Sequence, residues 1–301
     1  MAYIVHGATG AQGSPVLSAL AAAGAPVVAA VRNPDAVPDG VPALAVDLAS
    51  ADSLIPAYEG ADGVFVHLPM GPPEAAGAQA RAVVEAVTRA RPGRVVVSAS
   101  GQVVDQPDSS LMAAADSPIM MLIRGLADSG VPTAVVAPRL YLENLLLPVV
   151  VGPAREEGVL RYPLPASFPV SWSSHLDVAD VVVRLLTEAS AIGGAGAAGT
   201  TGTAGTAGTV SVGHLPGLTG PDLAAAFSTR LGCDVRFEAI APEEFGELIA
   251  PLFGAAAASV VEFYRALGAQ AGCVIDRGTS AQRLLGLSPH PVERWLADMS
   301  V

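Results

Sequence analysis

The sequence contains no lysine: all 16 of its basic residues are arginine. Chemistry that needs a lysine is excluded, whether a Schiff base, a P-loop lysine or a tyrosine–lysine proton relay. Cysteine is scarce. Cys233 and Cys273 make neither a disulfide framework nor a metal-ligand spacing, and read as two ordinary thiols. No metal site is expected. Basic charge is in the minority, at 16 residues against 28 acidic ones and a net charge of −12. A protein that tracks nucleic-acid phosphates carries a basic stripe, so nucleic acid is not an expected partner. Long apolar runs are missing too. The longest, Val16 to Val31, is interrupted by Ser18, Gly24 and Pro26, short of the ~18–20 residues a membrane helix needs. No basic stretch precedes an apolar core near Met1, so neither a signal peptide nor a membrane is expected, and the location reads as cytoplasmic.

Apolar residues, by contrast, make up 51% of the 301 residues, enough for one large core or two smaller ones. Short β-rich runs fall at Tyr3–His6, Pro26–Val31, Ala43–Val46, Gly63–His67, Arg94–Ser98 and Pro132–Ala137. Helix-like stretches separate several of them, at Ala11–Ala23, Glu74–Arg91 and Leu111–Ser129. Apolar strands without alternation, interleaved with helices, predict a parallel sheet covered on both faces. The second half is less regular, with helices expected at Asp177–Ser190, Pro242–Phe253, Ala255–Leu267 and Pro291–Met299, and a strand at Val210–Val212. The expected fold class is α/β: a Rossmann-type doubly wound parallel sheet with a smaller C-terminal α/β substrate lobe. The expected division is 1–150 for dinucleotide binding and 151–301 for substrate. Residues 192–209, almost all Gly, Ala and Thr, read as a flexible insertion.

The strongest motif opens the chain: Gly7, Ala8, Thr9, Gly10, Ala11, Gln12, Gly13. It follows a strand and begins a helix, the context that makes a glycine pattern a phosphate-binding loop. Gly7 permits the turn, Gly10 admits the pyrophosphate, and Gly13 allows close helix–strand packing. The helix N-terminus offers free N–H groups and a positive dipole end. Arg32 stands after the second strand, where an NAD site places an acid. Its forked donors suit a 2′-phosphate, so NADP(H) is the expected cofactor. Asp47, followed by Leu48, is placed to meet the adenine amino group, with a helix-capping role as the alternative.

These residues resemble the NmrA-like branch of the atypical short-chain dehydrogenases. The likeness runs through Gly7–Gly13, Val31-Arg32-Asn33-Pro34 and Val46-Asp47-Leu48. It continues through Ser129-Gly130-Val131-Pro132, then Pro138–Asn144, then Asp177-Val178-Ala179-Asp180-Val181. It covers most of the chain. The resemblance implies a dinucleotide fold, NADPH-dependent reductases or redox sensors as the activities, and a loop beside the nicotinamide that brings Leu68 and Pro69 to the cofactor. It also implies a lysine in the helix before Ser129, near Ile119. This sequence departs from the pattern there, because Pro118-Ile119-Met120-Met121 is apolar.

Hydride transfer needs chiefly positioning, but a proton donor or oxyanion stabiliser must act on the substrate. Ligands in open α/β sheets sit beyond the carboxyl ends of the strands. His67 ends the fourth strand and could titrate near neutrality, or be a packed histidine. Ser98 and Ser100 end the fifth. Ser98 is assigned to the cofactor and Ser100 to a substrate carbonyl, though both could simply finish the strand. Tyr141 is a phenol where the family shows Phe, and is the preferred proton donor, with an aromatic core role as the alternative. Asn144, Trp172 and His175 are the expected substrate contacts, Trp172 for a flat aromatic ligand.

The leading reading is an NADPH-dependent reductase of a conjugated carbonyl, quinone or polycyclic aromatic, within secondary metabolism. Its partner would be a flat apolar small molecule, and a homodimer would suit it. One alternative is a non-catalytic NADP(H)-sensing regulator. Another is a cofactor-independent isomerase, cyclase or epimerase on the same fold.

Overall fold

The computed structural model describes residues 2–188 and 208–301. The expected insertion at 192–209 therefore lies outside the described residues as far as 207, while Gly208 and Thr209 already belong to a strand.

Two compact units emerge. The first comprises Met1–Pro138, His175–Val212 and Asp276–Leu287; the second comprises Arg139–Ser174, Gly213–Ile275 and Ser288–Val301. The units interleave along the chain, which a division in chain order at residue 150 cannot express.

The first unit is built on a parallel sheet. Its strands are β1 (Tyr3–His6), β2 (Val27–Val31), β3 (Ala43–Ala45), β4 (Gly63–His67), β5 (Val95–Ser98), β6 (Thr133–Pro138) and β8 (Gly208–Val212). Their order is β3-β2-β1-β4-β5-β6-β8, every pair parallel. Strand order reverses between β1 and β4, the topological switch point of a doubly wound sheet. The α/β Rossmann-like fold expected from the strand pattern is thus the fold observed.

Helices α1 (Gly13–Ala22) and α6 (His175–Thr187) pack together on one side. Three more, α2 (Ala51–Tyr58), α3 (Pro73–Ala90) and α4 (Pro118–Asp128), pack in series. They bury Tyr58, Val83, Val87 and Leu122 with Ile4, Val64, Val66, Val95 and Val97 of the strands. Covering both faces explains why these strands read as unbroken valine. Helix α2 was not anticipated, because Pro56 lies inside it. Ser50, whose side chain accepts from the Ser53 N–H at 3.3 Å, starts it regardless. Helix α4 is shorter than Leu111–Ser129: Ser117 caps it and Pro118 takes the first turn, where its missing N–H costs nothing.

The second unit holds a two-stranded parallel sheet, β7 (Val159–Tyr162) with β9 (Arg236–Ala239). Neither strand was anticipated. Around it lie α5 (Pro148–Glu156), α7 (Gly220–Leu231), α8 (Pro242–Phe253), α9 (Ala257–Gly268) and α11 (Val292–Asp298), while α10 (Ala281–Leu285) belongs to the first unit. Within the 27 residues Pro242–Gly268, an 18-residue window of mean hydropathy 1.4 meets the length and composition of a membrane span. The stretch is two helices, however. The chain breaks at Gly254 (φ +53°), and Arg265 of α9 reaches back to Glu243 of α8 at 2.6 Å.

Candidate cofactor site

The first turn of the chain makes a cradle. Gly7 adopts φ +62°, and the Gly10 N–H donates to its carbonyl at 2.8 Å. A Cβ on Gly13 would lie 2.2 Å from the Gly7 carbonyl oxygen and 2.5 Å from that of His6. Glycine there lets α1 begin directly against β1, so its N-terminal N–H groups point past the strand ends.

A cavity of about 510 Å³ opens there, beyond the ends of β1, β2 and β4. That volume is ordinary for a small-ligand site. Gly7, Thr9 and Gly10 form one side and Arg32, Asp47 and Leu48 another. His6, His67, Pro69 and Met70 close it, with Ala75, Ala76 and Gln79 contributed by α3. Arg32 is solvent-exposed. It precedes a turn fixed by Asn33, whose side chain accepts from the Asp35 N–H at 3.1 Å. Asp47 uses one carboxylate oxygen to accept from the Ala49 N–H at 2.9 Å. Helix α2 is capped by Ser50, so Asp47 is not its cap.

Three histidines share this strand edge. The buried His6 hydrogen-bonds the Tyr58 hydroxyl at 2.8 Å through Nε2. Burial first, and the neighbouring His67 second, push its pKa down to about 3. His175 begins α6, and burial followed by His67 lowers it to about 4. His67 itself is lowered by burial, with the Leu68 backbone opposing to a smaller extent. Both of its ring nitrogens are buried, and neither completes a hydrogen bond among the described residues. His175, assigned by sequence to the substrate, is thus grouped with His67. His6 was missed, although β1 and β4 are neighbours in the doubly wound order 3-2-1-4-5-6, the one observed.

Other expected contacts fall elsewhere. Ala8 and Leu68 are buried core residues and not cavity wall. Ala11, Gln12 and Gly13 do not line the cavity. Gln12 instead bridges to β5: Ser98 Oγ donates to Gln12 Oε1 at 2.9 Å, and Gln12 Nε2 donates to Ser100 Oγ at 3.1 Å. Ser98 is fully buried and also accepts from the Ser100 N–H, which corrects its assignment as a cofactor contact.

Tyr141, Asn144 and Trp172 belong to the second unit. Tyr141 is half-buried and its backbone bridges to Ser173. The Asn144 side chain hydrogen-bonds the Tyr162 hydroxyl, which is also paired with Tyr264. Trp172 is 2% exposed and meets Tyr162 edge-on at 5.4 Å. It is a core residue and not a platform for a flat ligand. Its ring is packed against Tyr162, which in turn meets Phe245 and Tyr264.

Comparison with known proteins follows the same division. Residues 7–128 match the family model of an NAD(P)H-binding domain. The match includes the glycine cradle, Arg32, Asp47 and His67, and the cofactor is NAD(P)H. No curated protein matches the chain in sequence. Solved structures share its fold over their whole length. An NADPH-dependent quinone oxidoreductase from Escherichia coli, complexed with NADPH, is 21% identical, with all of both chains covered and a TM-score of 0.72. The triphenylmethane reductase of Citrobacter sp., complexed with NADP(H), is 19% identical over 99% of each chain, at 0.76. A UDP-N-acetylglucosamine 4-epimerase from Bacillus cereus is 14% identical over all of both chains, at 0.67. The chain therefore has an NAD(P)H-binding, Rossmann-like fold of the kind found in reductases and epimerases.

Proposed function

We propose that the protein is an NADPH-dependent reductase of a flat conjugated carbonyl, quinone or polycyclic aromatic substrate, of the NmrA-like type. The observation that carries this reading is the cavity that joins a glycine cradle to Arg32. The cradle fits a pyrophosphate: Gly10 lines the cavity with no Cβ to obstruct it, and Gly13, whose Cβ would meet the Gly7 carbonyl, lets α1 start close against β1. Arg32 lies on the cavity's other wall, with no acidic residue at that strand end, which suits a 2′-phosphate. Full-length likeness to two NADPH-linked reductases supports reduction as the chemistry.

When bound, NADPH supplies the hydride. The chain's own residues then have three tasks. The glycine cradle and Arg32 hold the two phosphate ends, and Asp47 and Leu48 receive the adenine. The substrate proton comes from the Tyr141 phenol, since no lysine exists to assist. The protein acts as a soluble cytoplasmic enzyme in this reading.

The test is NADPH consumption with a panel of quinones, enones and triphenylmethane dyes. Turnover of at least one substrate, slowed ~10²-fold or more by Tyr141→Phe, is the expected result. Tight NADPH binding with no consumption across the panel overturns the reductase reading in favour of a sensor. An unchanged rate in Tyr141→Phe removes the donor assignment alone.

A further inference from the structure

We propose that His67 is a cofactor ligand: its imidazole donates a hydrogen bond to the pyrophosphate of bound NAD(P)H and takes up a proton from solvent as it does so. The inference rests on the reading that the dinucleotide occupies the 510 Å³ cavity.

The argument starts from a missing partner. A buried polar atom without a hydrogen bond costs free energy, and native proteins leave few of them without a reason. Both nitrogens of His67 are in that condition among the described residues. His67 is also one of the residues that line the cavity. The position fits a phosphate. A Cβ on Gly7 would lie 2.5 Å from Nε2, so the imidazole rests on the residue that turns the chain into the phosphate cradle. A ligand oxygen seated on that cradle comes within reach of the ring.

Charge decides the protonation state. The groups facing His67 are His6 from β1 and His175 from α6, both held neutral at pH 7. From β4 itself come the Phe65 ring, with centroids 6.0 Å apart, and the Leu68 backbone just beyond. Arg32 and Asp47 line the same cavity from the ends of β2 and β3, and α3 adds the uncharged Gln79. Ser98 is the paired residue on β5. Among the described residues no carboxylate is positioned on the ring, and the Leu68 backbone, which favours the imidazolium, is outweighed by burial. An arriving pyrophosphate supplies that negative charge and favours the charged form. Among the described residues Arg32 is the one arginine that lines the cavity, and it is assigned to the 2′-phosphate, so a protonated His67 is the cation beside the pyrophosphate.

The sign of the linkage follows. The complex binds a proton more tightly than the free protein, so affinity rises as pH falls, by at most about tenfold per pH unit. It levels off below the free-state pKa, which lies under 6.5.

The experiment is calorimetric titration with NADPH at pH 7 in two buffers of different ionisation enthalpy. The buffer dependence reports protons taken up per NADPH bound. The 2′-phosphate has its own ionisation near pH 6, so the difference between wild type and His67→Asn carries the reading. The expected result is a positive uptake in wild type that falls by a substantial fraction of one proton in His67→Asn, with about tenfold weaker binding. Equal uptake in both proteins overturns the proposal. In wild type labelled with ¹⁵N-histidine, one histidine should move toward the imidazolium pattern on NADPH addition at pH 7. Signals that stay those of neutral imidazoles overturn it even if the variant fails to fold. Absence of any binding by wild type overturns the cofactor reading and this proposal with it, whereas binding without proton uptake overturns this proposal alone.

Discussion

Two stretches of one strand edge treat their polar groups in opposite ways. At the end of β4, the half-buried His67 has both ring nitrogens buried and unsatisfied among the described residues, beside a cavity. At β5 and β8 the polar side chains satisfy one another. Ser98 and Ser100 are tied to Gln12. Ser211 donates to Asp105 at 2.5 Å and shares its hydroxyl with Thr279 at 2.7 Å. A saturated network holds loops in place, and it offers little to a ligand without first breaking its own bonds. An unsatisfied group next to open volume has its best partner still to come. Residue type alone does not reveal this difference: serine and histidine were both candidate site residues in the sequence.

The sharpest way to break the comparison is at its hinge, Gly13. Replacing it with Val drives side-chain atoms into the Gly7 and His6 backbone. We expect NADPH binding to weaken at least ~100-fold, about 2.7 kcal/mol or more, checked by calorimetry beside a thermal melt. Next in size is acid sensitivity. His6 and His175 titrate near 3 and 4 in the folded chain, but near 6.5 when unfolded. Unfolding therefore takes up protons, and stability present above pH 6.5 is lost as pH falls toward 4. At about 1.4 kcal/mol per pKa unit, the expected loss is several kcal/mol. Denaturant titrations at pH 7.5 and 4.5 measure it, and equal midpoints would contradict the buried neutral pair.

Smaller effects sharpen the contrast. Arg32→Ala should weaken NADPH binding by ~10–100-fold, the worth of a charged hydrogen bond or about 1.5–3 kcal/mol, while leaving NADH unchanged. Equal losses for both would mean that Arg32 does not read the 2′-phosphate. Gln12→Ala removes the acceptor for the fully buried Ser98 hydroxyl, which keeps only the bond it accepts from the Ser100 N–H. A cost of about 1–3 kcal/mol in stability is expected, with NADPH affinity changed by less than about threefold. Ser100→Ala, on a half-buried group, should cost least, about 1 kcal/mol or below. A large affinity loss in either variant would show that the saturated network is part of the binding site after all.

Local chemistry was well encoded. The glycine cradle, Arg32, Asp47 and the valine strands were legible because each depends on a few adjacent residues: a positive φ, a strand end, an apolar run. Helix α4 was overextended by the seven residues Leu111–Ser117, and α2, with Pro56 inside it, was not anticipated, because capping by Ser117 and Ser50 outweighs composition at helix ends. Trp172 and Asn144 were assigned to a ligand on residue type, yet one packs against Tyr162 and the other hydrogen-bonds it. Aromatic rings bury large area wherever a core forms, so their presence near a site carries little information.

By itself, the sequence determined the phosphate loop, the parallel character of the sheet and the exclusion of every lysine-dependent mechanism, since these follow from short-range backbone preference and from composition. The tertiary structure decided which polar groups are spent and which are spared. His6, His67 and His175 lie 61 and 108 residues apart in order, by simple difference of their numbers; the parallel register of β1 with β4 and the start of α6 bring them together. Ser98 and Gln12 likewise meet across 86 residues. Such pairings depend on strand order and helix placement, which no local run of residues specifies.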